Sequence, residues 1–171
     1  SGTKAGLGRP GDARARLDLG ALAGIRFYEP GELVLCCAAA TPLAEIEAVL
    51  AASQQRLAFE PPHGGAIFAD PAEAGTIGGA FATNQFGPAR FKSGAARDHL
   101  LGAQCVTGRG DAIKVGGRVV KNVTGYDVCK LLCGAFGTLA AMTEVTFKVL
   151  PAPERAATIL VDAEAIAPLA A

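Results

Sequence analysis

The sequence predicts an α+β fold with two sub-lobes, on the strength of three observations. Apolar runs typical of strands come both before and after the helical patterns, so strands and helices do not alternate as they do in a doubly wound fold. Half of the 171 residues are apolar, which is enough to bury a core in one domain or two small lobes. Glycine-rich stretches separate the regular elements at four places.

The first third of the chain contains a loop, two predicted strands and a helix. Residues 1–13 hold four glycines and a proline and are predicted to be loop. Residues 15–22 alternate and predict a short strand with a turn, and the apolar run 32–40 predicts a second strand. Apolar residues then recur on one face of an amphipathic helix over 42–55, with Thr41 as its N-cap and a proline in its first turn.

The middle of the chain is unusually poor in large side chains. Residues 75–94 read GTIGGAFATNQFGPARFKSG and include five glycines. Thr76 is expected to cap a short helix that runs to about Thr83 and packs tightly because its residues are small. Residues 85–97 are predicted to be loop. Such a stretch is either a flexible connector or backbone arranged to contact a large, charged ligand.

The last third predicts a hairpin, a short helix and a long strand. Residues 100–120 have turn signals at two glycine pairs and read as a β-hairpin. Residues 127–133 form a short helix that Gly134 is expected to stop. The alternating run 138–150, which ends at a proline, contains a long strand.

Composition argues against several classes of partner. The formal net charge is zero and there is no tryptophan, so neither a basic field nor base-stacking side chains favour nucleic acid binding. No apolar run approaches the ~18 residues of a membrane span. We therefore expect no nucleic acid partner and no direct membrane span.

The five cysteines are expected to be reduced and buried. They are Cys36, Cys37, Cys105, Cys129 and Cys133. Their number is odd, no CxxC pair occurs and only two histidines accompany them, which argues against a disulfide framework and a zinc site. Buried thiols of this kind are typical of a cytosolic protein.

The glycine-rich stretches lie at residues 1–11, 75–94, 116–125 and 134–138. Their shared chemistry is backbone N–H groups left free to converge on an anion, which a helix N-terminus reinforces. Four of them indicate a cofactor longer than a lone phosphate. The polar run KNVTGYD, residues 121–127, is either a turn capped by Asp127 or a set of hydrogen-bonding groups at the rim of a ligand.

These motifs resemble a known family. AGTIGGAFATNQFGPAR, SGAARDHLLG and VGGRVVKNVTGYDVCKLLCGAFGTLAAMTEVTFKVLP closely resemble the FAD-binding E subunits of bacterial glycolate oxidases. Those subunits belong to the vanillyl-alcohol oxidase/p-cresol methylhydroxylase (PCMH) flavoprotein superfamily. The resemblance runs over residues 1–153. GTIGG alone indicates only the superfamily, whereas GGRVVKNVTGYD is close to a signature of the E subunit.

The resemblance implies a two-lobed FAD-binding fold, with a small parallel βα lobe, an antiparallel-sheet lobe and the flavin between them. The strands that precede the first phosphate loop and the cap domain that follows are missing. Residues 1–150 are therefore expected to be a partial PCMH-type FAD-binding domain, and residues 151–171 the start of a connection to the absent cap. The chain is interpreted as a piece of a longer protein.

The resemblance also implies the cofactor-binding residues. Gly2, Thr3 and Lys4 would face the pyrophosphate from the first phosphate loop. A second loop, an acidic position and a late turn would contribute Gly75, Thr76, Gly78, Gly79, Asn84, Gly87, Asp98, Gly134, Gly137 and Thr138. FAD would be held non-covalently, because the first loop has neither His nor Cys. The catalytic residues of the superfamily lie mostly in the cap, so none is assigned, and no metal site is expected.

The function implied is that of the FAD-binding component of a complex that oxidises a small 2-hydroxy acid, glycolate, by hydride transfer to flavin. Its partners would be the other glycolate oxidase subunits, including an iron–sulfur subunit. The location would be cytoplasmic, or peripheral at the inner membrane face through partners. One alternative is another flavin-dependent enzyme such as a D-lactate dehydrogenase. A second is a non-catalytic scaffold subunit that keeps the fold.

Overall fold

The computed structural model describes residues 17–62, 75–117, 126–157 and 159–160. Its centre is an antiparallel sheet of five strands, which are β1 (Ile25–Glu29), β2 (Val34–Ala38), β4 (Leu100–Thr107), β5 (Ala112–Gly116) and β6 (Ala140–Lys148). The spatial order is β1-β2-β6-β4-β5. A small second sheet pairs β3 (Gln55–Arg56) with β7 (Leu150–Pro151), also antiparallel.

Among the described residues, four short helices and two 3₁₀ turns connect the strands. They are α1 (Leu43–Ala52), α2 (Ile77–Ala82), α3 (Arg90–Ser93) and α4 (Val128–Leu132), with 3₁₀ turns at Pro30–Glu32 and Ala96–Asp98. Side chains of α1, α2 and α4 share a single core with those of the sheet. In the described part of the chain no helix has the length and apolar character needed to cross a membrane.

The rings of three phenylalanines mark the centre of that core. Phe81 on α2 packs between Phe59 and Phe147, with ring centroids 5.6 and 5.4 Å apart. All three are fully buried, so α2 is anchored to the sheet through β6. The prediction of free, buried cysteines is confirmed for all five.

The α+β prediction is confirmed, and its first elements need correction. The described part of the run 15–22 contains no strand; instead β1 begins at Ile25. Strand β1 escaped prediction because it is an edge strand, paired with β2 alone and interrupted by a register shift between Ile25 and Phe27. Its side chains are therefore only partly buried and do not give a clean alternation.

Helix α1 is shorter than predicted and has a different start. It ends at Ala52, because Gln54 adopts a φ of 54° and the next residue begins β3. Thr41 does not cap it. The Thr41 hydroxyl donates to the Ala38 carbonyl at 2.7 Å and accepts from the Gly24 N–H at 2.9 Å. The prediction that Thr41 is the N-cap of this helix is therefore wrong, and its hydroxyl instead holds the end of β2 against the residues that precede β1.

The remaining predicted elements are present with small changes. The hairpin of β4 and β5 and the long strand β6 are confirmed. Asp127 caps α4 by accepting from the Lys130 N–H at 3.2 Å, and Gly134 follows with a φ of 85°. The predicted loop 85–97 contains α3 and begins a 3₁₀ turn. All strand pairings among the described residues are antiparallel, so the small parallel lobe that the resemblance implies is not seen in them.

Candidate functional site

A cleft of about 640 Å³ opens beside the N-terminal end of α2. Its wall comes from four parts of the chain that are distant in sequence and brought together by the sheet and α2. The described residues that line it are Leu17, Asp18, Leu19, Gly20, Ala39, Ala40, Thr76, Gly78, Gly79, Ala82, Phe136, Gly137, Ala140, Ala141 and Met142. Nine of these fifteen are glycine or alanine, so backbone makes up much of the wall.

The start of α2 is held against the end of β2 by close backbone contact. Thr76 caps the helix by accepting from the Gly79 N–H at 3.3 Å, as predicted. The Gly78 N–H donates to the Ala39 carbonyl at 2.8 Å. A Cβ added at Gly78 would lie 2.7 Å from both the Cβ and the carbonyl oxygen of Ala39. Gly78 is therefore required by contact with protein, and its φ is not positive.

The N–H groups at this helix start are already committed, which differs from the expectation of free donors. The Ile77 N–H donates to the Thr41 carbonyl at 3.0 Å, and those of Gly78 and Gly79 donate as described above. A helix N-terminus binds an anion through such groups only when they are unpaired. Hydrogen-bond donation into the cleft from this turn is left to the Thr76 hydroxyl, which lines it.

A second glycine-rich turn, residues 134–138, closes the cleft from the other side. It is fixed to the end of α2, because the N–H groups of Gly134 and Phe136 donate to the carbonyls of Phe81 and Ala82 at 3.2 and 2.9 Å. Phe136 and Gly137 have φ angles of 53° and 75°. A Cβ at Gly137 would meet no atom within 4 Å. Two glycine-rich stretches singled out in the sequence therefore meet at one cleft.

The predicted cofactor residues fall into three groups. Those that line the cleft are Thr76, Gly78, Gly79 and Gly137. Those that are described but do not line it are Gly75, Asn84, Gly87, Asp98, Gly134 and Thr138. Gly2, Thr3 and Lys4 lie outside the described residues, as does most of the run 121–127.

The residues away from the cleft have contacts within the protein. Asn84 accepts from the Arg97 N–H at 3.0 Å, and Asp98 accepts from the Ala95 N–H at 2.9 Å. Gly87 packs so closely on Glu60 that an added Cβ would lie 2.5 Å from the Glu60 Cβ.

The other three in this group hold turns. Gly75 has a φ of 83° and its carbonyl accepts from the Leu43 N–H at 3.1 Å, at the start of α1. Gly134 leaves α4 with positive φ. The Thr138 hydroxyl donates to the Ala135 carbonyl at 2.6 Å within its own turn. These interactions support the backbone on which the cleft is built.

The cleft has little acid–base chemistry of its own. Among its described lining residues Asp18 is the single ionisable side chain. His99 is instead buried in the core, 5.5 Å from the Phe59 ring, with Nε2 hydrogen-bonded to the Ser93 carbonyl at 2.8 Å. Burial lowers the pKa of His99, while the bond to Ser93 opposes that shift.

The cysteine thiols, like His99, are not placed to take part in a reaction in the cleft. Burial raises the pKa of Cys37 and Cys133 to about 12 and that of Cys129 to about 11. Thiolate is the reactive form of cysteine, so these groups are inert near neutral pH. None of the five lines the described wall of the cleft.

Sequence reasoning missed much of the wall. The sequence places Ala39 and Ala40 at the end of a predicted strand, and Ala141 and Met142 within the strand that forms β6, without indicating that they face a cleft. A run of alanines at the end of a buried strand was the available signal, because it leaves room beside the sheet. Asp18 gave no signal, since an isolated aspartate two residues before a glycine is typical of a turn.

Comparisons with known proteins show the family to which the chain belongs. The sequence model of one family, an FAD binding domain, matches residues 1–116. The glycolate oxidase subunit GlcE of Escherichia coli is 44% identical over 153 residues, which cover 90% of this chain and 41% of that protein. A D-lactate dehydrogenase of Archaeoglobus fulgidus is 38% identical over 118 residues, covering 69% of this chain and 25% of that one.

A solved structure shows the same fold. An alkyldihydroxyacetonephosphate synthase superposes with a TM-score of 0.60 at 24% identity, over 78% of this chain and 22% of its own. The chain thus spans about two fifths of the glycolate oxidase subunit and less of the other two proteins.

Proposed function

The chain belongs to the FAD binding domain family, and from that membership we propose that it is the cofactor-binding part of a flavoenzyme that oxidises a 2-hydroxy acid, with glycolate as substrate. The observation that carries the proposal is the cleft in which the α2 start and the turn 134–138 meet. Similarity to the glycolate oxidase subunit over 90% of the chain supports the choice of substrate.

The described wall suits the flat and neutral portions of FAD. Its volume lies within the ~300–1,000 Å³ that is usual for ligand sites. Gly79 and Gly137 present no side chain to the cleft, and Phe136 and Met142 add apolar surface. When bound, the flavin supplies the hydride acceptor for the oxidation. The residues of this chain bind it, orient it and exclude water from it.

We further propose that the phosphates are held by residues 1–11, with Gly2, Thr3 and Lys4 facing the pyrophosphate. The sequence there is rich in glycine and includes a lysine, so it can supply both backbone donors and a positive charge. The α2 start supports this division because its N–H groups are already paired within the protein.

The whole assembly is proposed to contain further glycolate oxidase subunits, one of them an iron–sulfur protein that accepts electrons, and to sit in the cytoplasm or at the inner membrane face. The name of the E. coli relative, a subunit, is consistent with an assembly of several chains. A D-lactate dehydrogenase activity is the second candidate, because the Archaeoglobus relative is 38% identical.

The isolated chain is proposed not to oxidise glycolate by itself. The reaction needs a base for the hydroxyl proton and a cation for the carboxylate, both placed against the flavin. The described wall offers one carboxylate, Asp18, and no cation. The missing groups are expected from the remainder of a longer protein or from a partner subunit.

An absorbance spectrum and an activity assay test the proposal together. The purified chain, mixed with FAD and passed through a desalting column, should keep the flavin bands. Dye reduction with glycolate or D-lactate should not exceed that of free flavin, and it should appear with glycolate when the partner subunits are added. Failure to retain FAD would favour the scaffold alternative. Reconstituted turnover of D-lactate in preference to glycolate would favour the second candidate.

A further inference from the structure

The described wall of the cleft carries a single charge, and that charge affects how a dinucleotide can lie in the cleft. Asp18 is the one ionisable group in its described lining, and it is negative. Asp18 is exposed, so solvent screens its charge in part, but a phosphate in contact with its carboxylate is still repelled. A cofactor with two phosphates is therefore more stable when they lie away from Asp18 than when they lie against it.

The hydrogen-bond donors near the cleft also favour phosphates that lie elsewhere. The N–H groups of Ile77, Gly78, Gly79 and Phe136 donate to protein oxygens. The Gly20 N–H, beside Asp18, donates to its Oδ1 at 2.8 Å. That bond leaves Oδ2 and a further lone pair on Oδ1 to accept hydrogen bonds from a ligand. Asp18 thus offers acceptor capacity to a ligand, whereas the N–H groups of Ile77, Gly78, Gly79 and Phe136 are already used within the protein.

We propose that Asp18 is a positioning residue that accepts hydrogen bonds from sugar hydroxyl groups of FAD, and that it keeps the phosphates away from this end of the cleft. The inference rests on the proposed function, since it takes FAD as the ligand. Hydroxyl donors occur in two places in FAD, the ribityl chain and the ribose of adenosine. Both would satisfy the carboxylate, and neither carries charge.

The direction in which substitution of Asp18 changes the Kd for FAD shows whether the carboxylate lies beside hydroxyl groups or beside phosphates. If Asp18 accepts from hydroxyls, Asp18→Ala removes a charge-assisted hydrogen bond and should raise the Kd for FAD about tenfold or more. Asp18→Asn keeps an oxygen for the Gly20 N–H and for one hydroxyl, so its Kd should rise less. If Asp18 lay beside the phosphates, both variants would lose repulsion and bind FAD more tightly.

The measurement is a titration of each protein with FAD, followed by flavin fluorescence or calorimetry. Glu32→Ala is the matched control, because Glu32 is an exposed carboxylate that does not line the cleft and its loss changes the net charge equally. An unchanged Kd for Glu32→Ala excludes a general charge effect. Thermal melts of the apo proteins identify any loss of folding, and Asp18→Asn, which keeps the turn, guards against it.

Modified cofactors identify which sugar is involved. FAD analogues that lack one hydroxyl of the ribityl chain, or one of the adenosine ribose, are titrated against wild type and Asp18→Asn. Removal of the hydroxyl that Asp18 contacts should raise the Kd in wild type and raise it less in Asp18→Asn. The effects of the missing hydroxyl and of the substitution on the binding free energy should therefore not be additive. A structural role for Asp18 alone would leave every pair additive.

The possible results distinguish the inference about Asp18 from the proposed function. Weaker binding by Asp18→Ala with non-additivity at one sugar supports the inference and names the sugar. Unchanged or tighter binding by both variants, or additivity at every hydroxyl, overturns it while the proposed function stands. Wild-type protein that fails to bind FAD refutes the proposed function itself.

Discussion

Gly78 and Gly79 are neighbours in one turn of α2, and the structure assigns them different tasks. A methyl group at Gly78 would lie 2.7 Å from the Cβ and carbonyl oxygen of Ala39, which is 0.7 Å closer than the 3.4 Å at which ordinary contact begins. The atoms it meets belong to the backbone at the end of β2 and cannot rotate away. Gly79 instead lines the cleft, where added side chain takes space from a ligand.

The expected magnitudes follow from these contacts. Gly78→Ala should lower the free energy of unfolding by about 1–3 kcal/mol, the usual range for overpacking, and more if the hydrogen bond to the Ala39 carbonyl is lost. That is a fall of roughly 3–10 °C in Tm for a chain of this size. Gly79→Ala should keep the Tm or raise it slightly, because alanine favours a helix by about 1 kcal/mol over glycine.

Two measurements on the same proteins check this pair. Thermal melts of the apo proteins give stability, and titration gives the Kd for FAD. Gly79→Val should raise that Kd about tenfold or more while it costs little folding stability. An apo Gly78→Ala protein as stable as wild type would refute the packing argument. A Gly79→Val protein that melts early yet binds FAD normally would refute the assignment of Gly79 to the cleft.

Three further predictions concern titratable and reactive groups. The free energy of unfolding should be constant from about pH 6.5 to about pH 8 and fall as the pH drops below that range, by up to about 1.4 kcal/mol per pH unit, because the pKa of buried His99 is lowered from 6.5 and only the unfolded state then gains the proton. Denaturation curves of His99→Gln, which keeps a donor for the Ser93 carbonyl, should lose this dependence; an equally steep curve would contradict it. A thiol reagent at pH 8 should react with none of the five buried cysteines until the protein unfolds, and rapid reaction of the native protein would count against the buried placement. FAD should be released by acid and pass through a filter, since no cysteine or histidine lines the described cleft; colour retained by the polypeptide would mean a covalent bond.

Elements with a strong local signal could be predicted from the sequence. The Thr76 cap, the stop at Gly134 and the alternation of β6 depend on interactions within a few residues, which a local pattern reports. Strand β1 could not be predicted in the same way. It is an edge strand that is paired with β2 alone, so its extended conformation depends on β2 and its own residues show little strand pattern. The same holds for Thr41, whose hydroxyl bonds are set by the neighbouring strand.

The candidate site could be predicted in part for the same reason. Glycine-rich stretches identified two segments of the wall, α2 and the turn 134–138, but not the residues in them that face the cleft. Asn84 and Gly87 belong to the same motif as Gly79, and they contact protein instead. Which glycine faces a ligand depends on where β2 and Glu60 lie, and that is a property of the folded chain.

A glycine-rich motif in this protein therefore serves two purposes at once. Gly78 allows α2 to approach the end of β2 closely, and Gly87 allows the loop after α2 to approach Glu60. Gly79 and Gly137 then leave the wall of the cleft bare. The two purposes depend on each other, because a bare surface positions a ligand only if its backbone is held from behind. The paired N–H groups of α2 are part of that support, and they explain why the helix start shapes the cleft without supplying an anion site. This fits the proposal that residues 1–11, which contain glycines and a lysine, hold the phosphates.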